Sequence, residues 1–240
     1  MFGLPVRDKL EIGGWTLLRS GGFYRRVRNG ETVFEAMVSS RLRLMLYPTF
    51  PLFYPKFLTQ FILCVLDKPI LVAPGEELWA YTLLDIDAAV YAESASVFNL
   101  TDVIPLHDQY KLTLYGPRDG GVIARLCRSM PYTSPPALKL GKALMPVTII
   151  NESRASSRIA RVDMILLDAS PLKLYYKRGT WYVATQEIEM RLVTEDMAII
   201  SYKNPPPGLV EVRDPPGLRP PILGNKSNMQ WGYSRRGPSG

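Results

Sequence analysis

The chain has 240 residues, 47% of them hydrophobic and 21% charged, enough to bury a sizeable core and incompatible with disorder throughout. Lys and Arg number 29 against 22 Asp and Glu, a formal net charge of +7. That balance favours anionic partners (RNA, DNA or an acidic membrane face) unless the excess charge serves solubility alone.

The 21 Pro and 18 Gly, many of them between apolar runs, favour short strands joined by turns. Cys64 and Cys127 lie in apolar runs and read as small buried hydrophobes. Four glutamines (Gln60, Gln109, Gln186, Gln230) among abundant prolines match a thermophile tendency. Residues 1–14 carry Arg7, Asp8, Lys9 and Glu11 and no signal-type apolar stretch, and the apolar window 57–66 is too short for a membrane-spanning helix. A cytoplasmic protein without a transmembrane segment is expected.

In chain order, residues 1–14 read as irregular and 15–18 as a short strand. FYRRVR-NG-ETVFEAMV, residues 23–38, predicts a hairpin on a type I′ Asn29-Gly30 turn. Residues 41–46 alternate, with Leu42, Leu44 and Leu46 on one face and Arg41 and Arg43 on the other. Pro48, Pro51 and Pro55 punctuate an aromatic loop (Tyr47, Phe50, Phe53, Tyr54) expected to cap the core. The alternative is an exposed knob for a partner or a second copy.

Residues 57–66 and 69–72 are continuously apolar and predict two buried strands, 78–84 and 86–91 two more, and 97–107 a loop or short helix. YKLTLYGPRDGGVIARLCRS, residues 110–129, predicts strand, glycine-rich turn, strand; Leu112 and Leu114 share one face, Lys111, Thr113 and Tyr115 the other. Residues 131–141 form a proline-rich connector, and 147–150 begin a strand. Residues 158–167 favour a strand over a helix, although Ile159, Val162, Ile165 and Leu166 fit both periods. A hairpin over 172–184 and strands over 187–193 and 197–202 close the folded part, with Ile188, Met190 and Leu192 inward. From residue 204 polyproline-like spacers lead to Trp231, Tyr233, Arg235 and Arg236, a tail with no core of its own. The expected fold is mainly β and antiparallel β-sandwich-like: two packed halves, 1–107 and 108–203, and an extended tail, 204–240. One continuous sandwich is the alternative.

His107 is the only histidine, so Ser-His-Asp or Cys-His catalysis has a single candidate base and a histidine-cluster metal site has no parts. Asp85 and Asp87, two apart, would share a strand face and could hold Mg²⁺; Glu187 and Glu189 have the same spacing, and a solvated face explains both. Residues 116–121 lack a P-loop lysine, and a hairpin turn competes with an anion nest at Arg118, Gly120 and Gly121. No catalytic residue and no cofactor is expected. The nucleic-acid candidates are Arg25, Arg26 and Arg28 beside Phe23 and Tyr24; Arg154, Arg158 and Arg161 around a serine-rich turn; and Trp231, Tyr233, Arg235 and Arg236. Guanidinium groups pair with phosphate, and aromatic rings stack on unpaired bases. The expected function is therefore a non-enzymatic basic protein docking on RNA or the ribosome. Alternatives are a homodimer or another protein-docking module, on a membrane-associated partner for instance, and a carboxylate-metal enzyme at Asp85 and Asp87.

KLTLYGPRDGGVIARLCRS, the initial MFG, FYRRVR, and VTIIN followed by RIARVDMILL resemble the archaeal family known as domain of unknown function 432. The resemblance covers residues 1–202, is most specific at Leu-Tyr-Gly-Pro and the following Gly-Gly-Val-Ile, and implies an archaeal, often thermophilic source. It carries no catalytic residue over to this chain.

Overall fold

A computed structural model describes residues 1–54, 58–95, 98–152, 158–213 and 226–234. Among them the chain forms nineteen strands and no helix, and the fold is mainly β and sandwich-like, as expected. In chain order these are β1 (Lys9–Ile12), β2 (Trp15–Ser20), β3 (Phe23–Arg28), β4 (Glu31–Met37), β5 (Arg43–Thr49), β6 (Phe61–Val72) and β7 (Glu77–Asp85). There follow β8 (Asp87–Glu93), β9 (Phe98–Ile104), β10 (Leu112–Tyr115), β11 (Val122–Ser129), β12 (Lys142–Asn151) and β13 (Ala160–Asp168). The last six are β14 (Leu174–Tyr176), β15 (Val183–Thr185), β16 (Ile188–Leu192), β17 (Ala198–Tyr202), β18 (Val210–Glu211) and β19 (Lys226–Met229).

β1 to β4 form an antiparallel meander, and Asn29 and Gly30 join β3 to β4 at φ 52° and 83°, the left-handed pair a type I′ turn requires. β5, β8 and β9 form a three-stranded sheet. β9 replaces the loop or short helix expected over 97–107: Asn99, Thr101 and Asp102 hide the apolar alternation, and a bulge at Val90/Tyr91 shifts its register on β8.

β6 joins the two strands expected over 57–66 and 69–72 into one twelve-residue strand, residues 55–57 lying outside the described residues. It pairs parallel with β11 and antiparallel with β13. The pairing with β11 ends at Leu66, so Pro69 falls where one edge is open and its missing N–H breaks no bond to β11. In the eight-stranded sheet β12 pairs antiparallel with β7 along its length. On its other edge it pairs first with β15 and then with β16. Pro146 sits at that change of partner, between Leu144, which faces Ala184, and Val147, which faces Ile188.

Three pairings, β6 with β11, β6 with β13 and β7 with β12, tie residues before position 107 to residues after it, and one core runs from Phe2 and Val6 to Met229 and Tyr233. The two expected halves thus share sheets. The described parts of the tail are docked as well: β18 extends the sheet at β14, β19 pairs with β17, and Met229 is fully buried. Two apolar anchors spaced four apart, Met229 and Tyr233, are enough to seat a segment with no core of its own.

The hairpin of residues 110–129 forms as expected, with Tyr115 on the buried face and Leu112 and Leu114 exposed. Tyr115 faces Trp231 at 5.5 Å between rings, and its hydroxyl donates to the Gly232 carbonyl at 2.8 Å. Gly116 makes that contact possible: its φ is 98°, and a Cβ there would stand 2.6 Å from the Trp231 ring. Gly116→Ala is therefore expected to lever Trp231 off its seat and cost about 1–3 kcal/mol. A red-shifted tryptophan emission with earlier proteolytic loss of the tail would register this; unchanged emission and melting would contradict the packing.

Candidate nucleic-acid interface

The arginines of FYRRVR project to both faces of β3. Arg25 pairs with Glu35 on β4 at 3.1 Å, and Arg28 reaches Asp108 at 3.0 Å. Arg26 turns inward: its Nε donates to Asp102 Oδ2 at 2.9 Å, the Tyr24 hydroxyl donates to the same oxygen at 2.9 Å, and the guanidinium lies 4.5 Å from the Trp15 ring. Burial pushes the Asp102 carboxyl above its ordinary value, while Arg26 and Tyr24 pull it back. Arg158 faces Glu195 at 3.5 Å, and Arg161 forks onto Asp163 at 3.0 and 3.1 Å. Tyr233 is buried and donates to the Thr194 carbonyl at 3.0 Å, and Trp231 is partly exposed. Arg154, Arg235 and Arg236 lie outside the described residues. Arg161 is thus brought beside the tail, since Asp163 N–H donates to the Tyr233 carbonyl at 2.8 Å and Ser234 Oγ donates to Asp163 at 3.1 Å, whereas the FYRRVR arginines stand on a different sheet; each guanidinium among the described candidates has a carboxylate. Exposed pairs such as Arg25–Glu35 hold their partners weakly and exchange readily; the buried Arg26 does not.

A different set of arginines converges. The segment before β1 lies antiparallel to β5: Val6 N–H donates to the Leu44 carbonyl at 2.7 Å, and Pro5 pairs with Met45. Arg43, whose cross-strand partner between β5 and β8 is Glu93, and Arg7 line one groove beyond that contact. Arg19 joins them from β2, its N–H donating to the Asp8 carbonyl at 3.0 Å and its Nη2 to the Leu42 carbonyl at 2.7 Å. Between them runs an open groove of about 560 Å³, lined also by Ser20, Ser40 and the Gly21-Gly22 turn, with Asp8 its one acid. Neither Arg7 nor Arg43 has an ion-pair partner among the described residues. These three arginines lie far apart in the sequence, and the tertiary pairing of the first residues with β5 helps bring them together.

Asp85 and Asp87 flank the corner between β7 and β8. Asp85 forms an ion pair with Lys142, and His107 Nε2 stands 3.8 Å from it. Nε2 also meets the Ile86 and Gly141 carbonyls at 3.2 and 3.1 Å; both accept, so Nε2 carries the proton. Asp87 is fully buried and accepts from the Tyr110 hydroxyl at 2.5 Å and from Leu106 N–H at 2.9 Å. Burial raises its carboxyl to about 6, against the pull of Tyr110 and Leu106. Cys127 stands in register with Cys64, both thiols free and buried, and its hydrogen bond to Cys64, with burial, raises it well above the ordinary thiol value. A thiol so held is a poor nucleophile. Among the described residues no three His, Cys, Asp or Glu side chains gather as metal ligands.

The aromatic loop points inward. Phe50 and Phe53 are buried, Tyr47 donates to Glu93 at 2.6 Å, and Tyr54 donates to the Val103 carbonyl at 3.0 Å, so residues 47–54 cap the core and present no exposed knob. No helix among the described residues is long and apolar enough to cross a membrane.

Shared sheets, a basic groove and, among the described residues, strands without helices define an all-β protein. The family model described as "Protein of unknown function (DUF432)" matches residues 6–230, and the chain belongs to that family. The match reaches past residue 202 into the docked tail. Comparison with curated proteins and with solved structures finds no match.

Proposed function

We propose that this protein binds phosphate-bearing polymers, RNA foremost and the ribosome as its largest form, through the groove of Arg7, Arg19 and Arg43, without transforming them. The observation that carries this reading is the convergence of Arg7, Arg19 and Arg43, from three separate stretches of chain, on one groove lined by a single acid, Asp8. Like charges gathered in one groove repel one another, and an anion held between them relieves that repulsion. A phosphate satisfies two guanidinium groups at once through its fixed fork of oxygens. The net charge of +7 adds a long-range attraction for polyanions.

Binding to an oligoribonucleotide, measured by anisotropy, is expected to weaken steeply between 50 and 200 mM salt, as the release of condensed counterions requires. The double variant R7Q/R43Q should bind about tenfold more weakly and lower the logarithmic salt slope by about 2. The variant R25Q/R28Q should change affinity much less. RNA that fails to bind at low salt, or a groove variant that binds like the parent, would overturn the proposal, as would a preference for anionic lipid vesicles over RNA.

A further inference from the structure

At the far end of the β1–β2 hairpin, the Gly13-Gly14 turn bounds a second opening, a cleft of about 390 Å³. Its walls are Ile12, Trp15, Leu140 and Trp181, and its polar groups come from Glu11 and Thr16, which face each other across the hairpin. Trp15 is rigidly held. Its Nε1–H donates to the Pro105 carbonyl at 2.8 Å, and the Arg26 and Arg28 guanidiniums lie 4.5 and 4.9 Å from its ring. Trp181 meets the edge of Phe2 at 5.1 Å and 89°, which fixes its plane while leaving the residue only partly buried.

The size falls within the range of small-molecule clefts, and the wall chemistry suits a flat ring with polar edges. The cleft and the arginine groove are joined by β2. Thr16 lines one and Ser20 the other, on the same face and four residues apart, or about 13 Å along the strand. An extended nucleic-acid strand covers that interval with about one or two nucleotides. A base inside a duplex enters only at the cost of unpairing and unstacking, a penalty of about a few kcal/mol that an unpaired base escapes.

We infer that this cleft takes an unpaired base of single-stranded RNA whose backbone phosphate lies between Arg7, Arg19 and Arg43. The inference rests on the function proposed above and adds to it the strandedness of the ligand and a stacking residue, Trp181. Stacking on aromatic walls tolerates any base, so the site selects single strands without selecting sequence.

The test compares three probes of equal length at low salt: oligouridylate, an abasic sugar-phosphate oligomer and an RNA duplex. Tryptophan fluorescence and anisotropy are read together. Oligouridylate is expected to bind about tenfold more tightly than the abasic oligomer and to quench tryptophan emission, the gain typical of one or two stacked bases. Trp181→Ala should erase that preference while keeping the abasic oligomer's affinity, and Trp181→Phe, which keeps a ring, should retain it. Equal affinity for oligouridylate and the abasic oligomer, or a duplex bound as tightly as the single strand, would overturn this inference and leave the groove reading standing. If no probe binds, both fall.

Discussion

Asp102→Ala is expected to destabilise the protein by about 3–5 kcal/mol, the cost of leaving a buried guanidinium without its counter-charge. Asp102 is the shared acceptor of Arg26 and Tyr24, and the ion pair is almost wholly enclosed, with 7% and 4% of the two side chains exposed. Removing the carboxylate strands both donors against the Trp15 ring and the core beneath it. Urea unfolding followed by circular dichroism reads the loss directly. The companion variant Arg26→Met/Asp102→Leu should recover much of it, because it removes both charges and fills their space. A loss below about 1 kcal/mol for the single variant would show that water reaches Arg26, contrary to the burial described.

The second large effect is pH-dependent. Asp87 titrates near 6 when folded against an ordinary 3.8, so between those values the folded chain holds a proton that the unfolded chain has released. Unfolding free energy therefore falls as pH rises through this window. Below about 4 the carboxyl is protonated in both states and costs nothing; above about 6 the full penalty of burying the charge, about 3 kcal/mol, is in place. Asp87→Asn keeps an acceptor for Tyr110 and Leu106 and removes the titration. Comparing denaturation of the two proteins at pH 4 and pH 7.5 should show the parent losing about 3 kcal/mol relative to the variant. A relative gain by the parent would mean that Tyr110, Leu106 N–H and the nearby Arg125 more than offset desolvation.

Strands with plain alternation were legible in the sequence because each carries its own signal. β16 turns Ile188, Met190 and Leu192 inward as their spacing predicts, and Asn29-Gly30 makes the turn it should. The parallel pairing of β6 with β11 was not legible, since two apolar runs some 60 residues apart carry no mark of their partner. β9 was hidden by the same Asp102 that serves Arg26: a polar residue in a buried strand breaks the pattern, and its reason lies 76 residues away. The basic character of FYRRVR was plain, but of the acids that neutralise it only Glu35 is local, and Asp102 and Asp108 belong to another part of the chain. The groove is the converse. Arg7, Arg19 and Arg43 lie far apart in sequence, and their convergence exists only once the first residues lie along β5.

The N–H of Phe2 donates to the Thr180 carbonyl and that of Gly179 to the Phe2 carbonyl, while β6 waits for partners at 122–129 and 160–168. The chain thus closes Phe2 only against residues 179–180, although residues 3–6 can lie along β5 earlier. Its most water-averse stretch, FILCVL, meanwhile remains uncovered. Such long-range closure makes acquisition of the native state slow, places it after translation of most of the chain, and makes shielding by chaperones valuable in the interval.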